Sequence, residues 1–421
     1  MGSAATASPV TTGREIFWGR SVFKFLKVSS IAIAMAAFAL PAAAEVEFDF
    51  SGYIEPEFRY FVEEASDPRQ EGTNFSIAGE IEFEFLLNRD QTIIITPYAR
   101  LDFRDDERTH FDLRAAYYEV IFDTFELRVG LHKVFWGRTE AAHLIDIINQ
   151  TDAVDSFDGE EKLGQPMVNV TVPTDFGLFD FYWLPYFRER TFEGTEGRPR
   201  PNLVVDTNLT LWEDGAEEEH QDFAARWSHY VGAWDFGIAH FHGTGRDPVL
   251  VPTLDKNFNL VLAPLYPQID QTSVDVQATF GPAAFKFEGF RREQLGEDWF
   301  QASGGFEYSI YQVFETDGDL GIVAEYIWDE RGEAGFFPFQ NDVFGGLRWT
   351  ANDIQGTSVL AGGIYDLDDN GYALSFEAQR RLGDDFLLSF EGRFFMEVPV
   401  TDPIFSVSDD DFLQLRIARY F

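Results

Sequence analysis

Charged residues at every second position are the feature of this sequence that could do chemistry. Two such runs carry Glu80, Glu82 and Glu84, and Arg100, Asp102 and Arg104. Alternate side chains share one face of a β-strand, so each run would present its charges together. A charged face of this kind binds, repels or orients ions and polar solutes without any covalent step.

Groups for covalent catalysis are sparse by comparison. The chain has no Cys, which excludes disulfide scaffolds, thiolate zinc sites and Cys nucleophiles. Of the seven His, only His229 and the pair His240 and His242 fall on neighbouring predicted strands, and no Ser nucleophile motif accompanies them. We expect no enzyme activity, no cofactor and no metal; a hydrolase that uses His229 or His240 is the lesser alternative.

The net charge of the chain limits the kinds of partner that it can bind. Lys and Arg number 32 against 72 Asp and Glu, which gives a formal net charge of −40. A nucleic-acid partner is excluded, because binding it needs a cationic surface that displaces counterions from phosphates. With 45% hydrophobic and 16% aromatic residues, the chain can nevertheless bury apolar surface, which an acidic disordered tail cannot do.

The N-terminus predicts export from the cytoplasm. Four basic residues between positions 14 and 27 precede an apolar run over 31–44, after which acidic residues begin at Glu45. This pattern is typical of a secretory signal peptide over residues 1–44, cleaved after Ala44 to leave 45–421. A membrane anchor helix is the alternative, but the run is shorter than the roughly 18 to 20 apolar residues that span a bilayer.

The rest of the chain alternates apolar and polar residues. Segments such as 79–85 and 388–394 place apolar side chains on one face of a strand and polar ones on the other. In a soluble sandwich the apolar face packs on a second sheet, whereas in an outer-membrane barrel it faces lipid and the polar face lines a wet lumen. Alternation alone leaves both folds open.

Three further features favour the barrel. Eight tight turns alternate with nine longer connections, which predicts 18 antiparallel strands with both termini on the periplasmic side. Sixteen strands is the alternative, because the strands near Met167 and Phe236 are weakly marked. Aromatic residues lie near strand ends, as in interfacial girdles. The last segment, 412–421, alternates, ends on Phe421 and looks like the C-terminal signal that the barrel-assembly machinery of Gram-negative bacteria recognises. The longer connections are expected at 65–74, 105–110, 139–165, 193–221, 243–270, 293–298, 329–340, 366–371 and 399–409.

Residues 134–166 resemble a group of largely uncharacterised, porin-like outer-membrane proteins. In that group a strand ending in Trp-Gly, here at 136–137, is followed by an Ile-Asn-x-x-Asp core, here at 148–152, and by a Gly-Gln-Pro return, here at 164–166. More loosely, the segment is similar to the general porins, whose third extracellular loop folds into the lumen and narrows it. The resemblance implies a porin-like channel, often a homotrimer, and it names no solute.

The loop 139–165 is too long for a simple hairpin connection, so it is functional or disordered. The spacing of Leu144, Ile145, Ile147 and Ile148 predicts a short helix with one apolar side, which should pack against the inner wall or under other loops. The loop could constrict a pore, pack over the mouth for stability, or bind Ca²⁺ through its acids. The candidate constriction residues are His143, Asp146, Asn149, Asp152, Asp155 and Asp158.

If the apolar residues of each strand face lipid, the charged residues at the alternate positions face the lumen. The predicted pore-lining residues are Glu80, Glu82, Glu84, Arg100, Asp102, Arg104, Arg128, Arg226, Glu391, Arg393 and Arg416. Opposed acidic and basic walls would set up a transverse field across a wet constriction. Alternatively the charges pair and fill the interior, although 18 strands enclose more space than side chains alone fill.

The sequence therefore predicts an all-β, transmembrane antiparallel β-barrel in the outer membrane of a Gram-negative bacterium. The function we expect is passive diffusion of ions or small polar solutes, narrowed by the loop 139–165. A non-conducting structural or partner-sheathing barrel is the alternative. Acidic loops such as 213–219 predict either a negative vestibule, a divalent-cation bridge to lipopolysaccharide, or solubility alone. The other expected partners are membrane lipid, the barrel-assembly machinery and further copies of the chain.

Overall fold

A computed structural model describes residues 46–335 and 337–421. The predicted signal peptide, 1–44, lies outside the described residues. The described chain is built from β-strands and five short 3₁₀ helices. None of these helices is long and apolar enough to cross a membrane.

Eighteen strands form one closed antiparallel barrel. Each barrel strand pairs with the next one along the chain, and β1 pairs with β21 to close the ring, with Phe61 opposite Phe412. The barrel strands are β1 (Glu47–Phe61), β2 (Thr73–Asn88), β3 (Gln91–Asp102), β4 (His110–Ile121), β5 (Glu126–His132), β6 (Gln165–Thr174), β7 (Gly177–Leu184), β9 (Asp222–Val231), β10 (Trp234–Thr244), β13 (Gln268–Phe280), β14 (Ala283–Gln294), β15 (Glu297–Ile310), β16 (Asp319–Asp329), β17 (Asn341–Thr350), β18 (Ser358–Asp366), β19 (Tyr372–Leu382), β20 (Phe386–Met396) and β21 (Phe412–Tyr420). The prediction of 18 strands is confirmed, since the two weakly marked segments form β6 and β10.

Three short strands lie outside the barrel, in its longer loops. They are β8 (Leu211–Trp212), β11 (Val249–Leu254) and β12 (Leu260–Tyr266). The β11–β12 hairpin pairs with β8 in a small separate sheet. This sheet links the loop between β7 and β9 to the loop between β10 and β13.

The barrel is apolar outside and polar inside, the inverse of a soluble domain. On β1, Phe50 and Ile54 point outward and are 53% and 54% exposed. On the same strand, Glu57 and Arg59 point inward and are buried. This arrangement matches a barrel with lipid around it and polar groups within.

Three connections differ from their expected length. Two of the eight predicted tight turns, at 316–319 and 352–353, are the longer segments 311–318 and 351–357. The segment 293–298, predicted as one of the longer loops, is a two-residue turn at Leu295 and Gly296 between β14 and β15. Both residues have positive φ, 54° and 81°, which is what a type I′ hairpin turn requires. Leucine rarely adopts this conformation, so Gly296 alone indicated a tight turn in the sequence.

A β-bulge interrupts the alternation of β4. Thr96 of β3 pairs with Ala115 while Pro97 pairs with Leu113, which leaves Arg114 as an extra residue. A bulge re-aims side chains and bends its strand. Here it lets Arg114 and Ala115, which are adjacent in sequence, both line the interior.

Candidate channel constriction

The connection between β5 and β6, residues 133–164, folds into the barrel lumen. Its first arm reaches the far wall, where Arg138 Nε donates to Asp275 of β13 at 3.0 Å. Asp275 also pairs with Arg226 of β9 at 2.6 Å. The predicted inward-folding loop is therefore present, and it begins at Lys133 rather than at Thr139.

Gly237 of β10 makes room for the pair formed by Arg226 and Asp275. A Cβ atom there would lie 2.3 Å from Arg226 Nη2 and 2.4 Å from Asp275 Oδ2, closer than real Cβ contacts. A side chain at this position would displace the guanidinium or the carboxylate. The glycine thus serves the docking of the loop.

Two inward-facing carboxylates on the far wall, Glu288 and Glu325, hold the backbone of the arm; we call them the carboxylate clamp. Glu288 Oε1 of β14 accepts the N–H groups of residues 138–139, the second at 2.8 Å. Glu325 of β16 accepts the N–H groups of residues 140–141 at 2.8 and 2.9 Å. Four backbone donors of the loop therefore end on wall carboxylates.

The apolar part of the loop packs against the inner wall. Ile145 and Ile148 are fully buried, in a cluster with Phe241, Phe290 and Trp299 from inward-facing positions of β10, β14 and β15. The prediction that these side chains pack on the wall is confirmed. The predicted helix is wrong, because this segment forms turns and irregular structure.

Side chains of the loop replace the hydrogen bonds that a helix would have made. Asn149 Oδ1 accepts the Val134 N–H at 2.8 Å, and its Nδ2 donates to the carbonyls of His132 and Leu163 at 3.0 and 2.9 Å. Asp146 Oδ1 accepts the Trp136 N–H at 3.1 Å. Asn149 therefore ties together the two arms of the loop.

The acidic half of the loop docks on the opposite wall. Arg114 pairs with Asp152 at 2.7 Å and with Asp155 at 3.0 Å. Arg100 pairs with Asp155 at 2.7 Å, and Tyr98 Oη donates to the same carboxylate at 2.5 Å. All five side chains are buried.

These contacts belong to a larger buried ion network. Glu57 pairs with Arg100 at 3.3 Å and with Arg108 at 2.7 Å, and Arg108 pairs with Asp102 at 2.9 Å. Its members are Glu57, Arg59, Arg100, Asp102, Arg108, Asp112, Arg114, Asp152 and Asp155. Because charges that lose water must be paired to be tolerated, the network fixes the loop strongly to β1, β3 and β4.

Asp152 and Asp155 of the loop are engaged in these ion pairs. Burial raises the pKa of Asp152, but the hydrogen bond to His110 and the charge of Arg114 outweigh it and hold that pKa below its usual range. Of the loop acids that the Ca²⁺ alternative could draw on, Asp152 and Asp155 are already paired with arginines. Across 46–335 and 337–421, no cluster of three or more His, Asp or Glu is arranged to hold a metal.

The predicted lumen residues fall into three groups. Glu80, Glu82, Glu84, Arg128, Arg226, Glu391, Arg393 and Arg416 have the inward parity of their strands. Arg104 does not, because β3 ends at Asp102; it lies in an exposed connection, where it pairs with Glu71 at 2.6 Å. Arg100 and Asp102 point inward but are buried in the ion network.

Between the loop and strands β17–β20, charged side chains remain in contact with water. Arg393 pairs with Asp158 at 3.0 Å and with Glu377 at 2.7 Å, and Arg348 contacts Glu140. Glu377 is 45% and Arg348 34% exposed, unlike the members of the buried ion network. We call Glu140, Asp158, Arg348, Glu377 and Arg393 the charged gap.

Several of these groups are absent from the predicted set. Glu288 and Glu325 alternate with apolar neighbours on their strands, so parity could have placed them in the lumen. Strict alternation would place the neighbours Arg114 and Ala115 on opposite faces of β4. Because Arg114 is the extra residue of the bulge, both face the lumen, and alternation alone could not have predicted this. Nothing in the local sequence of Arg108 indicates its partners, which lie on other strands.

A second loop covers the mouth above β1–β4. Arg198 Nε pairs with Asp410 at 2.6 Å, and Arg200 pairs with Asp67 at 2.8 Å. Both arginines are buried. They join the loop between β7 and β9 to the loops on the far side of the mouth, so they close this side rather than offering free positive charge.

The pair formed by His143 and Glu160 should make ion passage beside the loop sensitive to pH. His143 Nε2 lies 2.9 Å from Glu160 Oε1. Burial lowers the pKa of His143, but Glu160 outweighs it, and the pKa is raised. The pairing is then complete below the ordinary histidine pKa of about 6.5 and is lost as pH rises through the raised value.

We therefore expect preference for cations to increase as pH rises above neutrality, because Glu160 loses its positive partner. Reversal potentials in a salt gradient, measured at several pH values, give this preference. In His143→Gln the dependence should disappear. A pH response of the same size in this variant would contradict the assignment.

Comparisons with known proteins find other barrels of the same fold. No protein-family model and no curated protein matches the chain. Among solved structures, OccAB1 of Acinetobacter baumannii has a TM-score of 0.53 at 5% identity, covering 89% of this chain and 96% of its own. A BenF-like porin from Pseudomonas fluorescens Pf-5 has a TM-score of 0.52 at 8% identity, covering 90% and 98%. OccD3 (OpdP) of Pseudomonas aeruginosa has 0.51 at 10% identity, covering 89% and 90%. At these identities the likeness shows a shared barrel fold.

Proposed function

We propose that residues 45–421, after removal of the signal peptide, form a passive diffusion channel of the bacterial outer membrane. Its solutes are ions and small polar molecules. The observation that carries the proposal is the placement of the loop 133–164, which is fixed to two opposite walls while the charged gap beside it stays in contact with water. The passage then runs off-centre, between this loop and β17–β20.

We further propose that the passage prefers cations. In the charged gap, three carboxylates accompany two guanidinium groups; Lys286 and Glu307 add one charge of each sign beside it, and the exposed Glu160 lies nearby on the loop. Below the gap, the inward face of β2 adds Glu80, Glu82 and Glu84. A cleft lined mainly by one sign of charge concentrates ions of the opposite sign.

Planar bilayer recordings test the channel itself. Purified protein should give discrete current steps at neutral pH, with reversal potentials that indicate cation preference. A correctly folded barrel that inserts and gives no steps would favour the alternative of a structural or partner-sheathing barrel. The dense packing between the loop and β1–β4 is the observation that favours that alternative.

Neutralising the arginines of the charged gap should strengthen cation preference. Removing one charge about 4 Å from a passing ion changes its energy by about 1 kcal/mol in water, or about fivefold in permeability ratio. We expect a shift of this order in Arg348→Gln and in Arg393→Gln.

Arg104→Gln supplies the matched control for these substitutions, because it also removes an arginine but lies outside the barrel wall. Its reversal potential should stay at the wild-type value. If Arg104→Gln and Arg393→Gln shifted the reversal potential equally, the passage would not run through the charged gap.

We propose no catalytic role for the histidines. His240 and His242 lie on outward-facing positions of β10, and both approach Asp270 on the outside of the barrel. His229 shares this outward parity on β9. A lipid or peptide hydrolase activity lost in His240→Ala would contradict this view.

A further inference from the structure

A cavity of about 700 Å³ lies above the end of β4, on the side of the barrel that carries the longer loops. We call it the rim cavity. Its walls come from two parts of the loop between β7 and β9, from the tip of the β11–β12 hairpin and from the connection between β3 and β4. Pockets that hold small organic molecules have volumes of about 300 to 1,000 Å³. The rim cavity is therefore large enough for such a ligand.

Part of the cavity wall is apolar and belongs to the outer face of the barrel. Phe111 of β4 points outward and is 49% exposed. Phe192, Leu203 and Leu260 also line the cavity. Because the outer face of β4 meets lipid, the cavity reaches the boundary between membrane and water. An apolar group bound against this wall would lose its contact with water, which favours binding.

Negative charge prevails in the same cavity. Six carboxylates line it, against three guanidinium groups and one imidazole. Each guanidinium already pairs with an aspartate, at 2.6 Å for Arg69 and Asp67, at 2.7 Å for Arg188 and Asp112, and at 3.3 Å for Arg190 and Asp247. An anionic ligand would therefore meet the carboxylates without gaining an unpaired arginine.

Glu107 and Asp206 are the cavity carboxylates that most need a positive partner. No Lys, Arg or His of the described chain lies within ion-pair distance of either. Asp206 accepts hydrogen bonds from the backbone and the neutral side chain of Asn208, both at 2.9 Å. Partial burial raises the pKa of Glu107, and the negative charges of Asp105, Asp106 and Asp206 raise it further. A positive charge beside these carboxylates would relieve their repulsion.

We propose that the rim cavity binds a small amphipathic amine, with its ammonium group at Glu107 and Asp206 and its apolar body against Phe111. Such a molecule matches both the apolar and the acidic part of the wall. A bare metal ion fits less well, because the described residues contain no group of three His, Asp or Glu arranged to hold one. The proposal does not rest on the channel function, since no residue of the charged gap lines the rim cavity.

Isothermal titration calorimetry on the folded barrel in detergent micelles tests the proposal, with empty micelles as the blank. Phenethylamine is the probe. Phenylacetate has the same ring with the opposite charge, and putrescine has ammonium groups without a ring. The wild type should bind phenethylamine at least about tenfold more tightly than either, because each of them lacks one of the two matching parts. Equal affinity for phenylacetate or for putrescine would overturn the proposal, as would the absence of binding heat with phenethylamine.

Variants show whether the amine lies in the rim cavity. Glu107→Gln should weaken phenethylamine binding by about tenfold or more, because the amide carries no charge. Asp106→Asn is the matched control, since it removes the same charge from the same connection but from a residue that does not line the cavity. Its affinity should stay within about twofold of wild type, because solvent and salt screen an exposed charge.

Leu203→Trp should abolish binding by filling the cavity, without any change of charge. Circular dichroism of each variant checks that the β-sheet is intact. Wild-type affinity in folded Glu107→Gln or in folded Leu203→Trp would place the amine elsewhere and refute the proposed site.

Discussion

Replacing Glu288 and Glu325 together with alanine is expected to release the constriction loop and raise the single-channel conductance. The two carboxylates accept four backbone N–H groups from residues 138–141. Hydrogen bonds to charged groups contribute about 1.5 to 3 kcal/mol each, so the double variant loses several kcal/mol of docking. Moving a two-state equilibrium from 1:99 to 99:1 takes about 5.5 kcal/mol, so a loss of this size allows residues 138–141 to leave the far wall while the buried ion network keeps the acidic half of the loop in place.

Conductance and current noise in planar bilayers measure this effect. Ser303→Ala is the matched control: Ser303 lies directly opposite Glu288 on the neighbouring strand β15, and its hydroxyl makes no hydrogen bond to the loop. Glu288→Gln with Glu325→Gln keeps acceptor oxygens without charge and should give an intermediate conductance. A wild-type conductance in the double alanine variant would show that the clamp does not hold the constriction.

Replacing Asp155 with alanine is expected to produce the largest loss of stability. The change leaves Arg100 and Arg114 with fewer partners and the Tyr98 hydroxyl without its acceptor, all in a buried site. Breaking a buried ion pair by removing one partner costs about 3 to 5 kcal/mol. We expect a decrease of that size in the free energy of unfolding.

Denaturant titration in micelles, followed by tryptophan fluorescence, measures this decrease. Asp158→Ala is the control within the same loop, because Asp158 is 31% exposed, pairs with Arg393, and otherwise accepts hydrogen bonds from its neighbours Ser156 and Glu160. Partly exposed pairs contribute up to about 1 kcal/mol. Equal losses in the two variants would mean that the buried ion network does not anchor the loop.

The barrel could be predicted from the sequence because its rules are local. Alternation sets the face of each strand, and short turns set the strand count, so even the weakly marked β6 and β10 were placed correctly. The turn at Leu295 and Gly296 was missed because its geometry depends on a leucine with positive φ. A rule based on residue type cannot identify such an exception.

The constriction was only partly predictable, because its contacts join distant segments. The sequence identified the loop and its buried isoleucines, but a helix was expected where Asn149 and the wall carboxylates take over the backbone hydrogen bonds. Arg100 was expected in a wet pore wall and lies in a dry network instead. Whether an inward-facing arginine is buried or in contact with water depends on where the loop docks. The sequence of a single strand carries no information about the docking position of the loop.

The loop also has a mechanical consequence for the barrel. Asp155 fastens it to β3 and β4, while Glu288 and Glu325 fasten it to β14 and β16 on the far side. It therefore acts as a cross-brace that limits how far these two walls move apart or together. Separating the two walls would require breaking the ion pairs of Asp155 or the hydrogen bonds of Glu288 and Glu325.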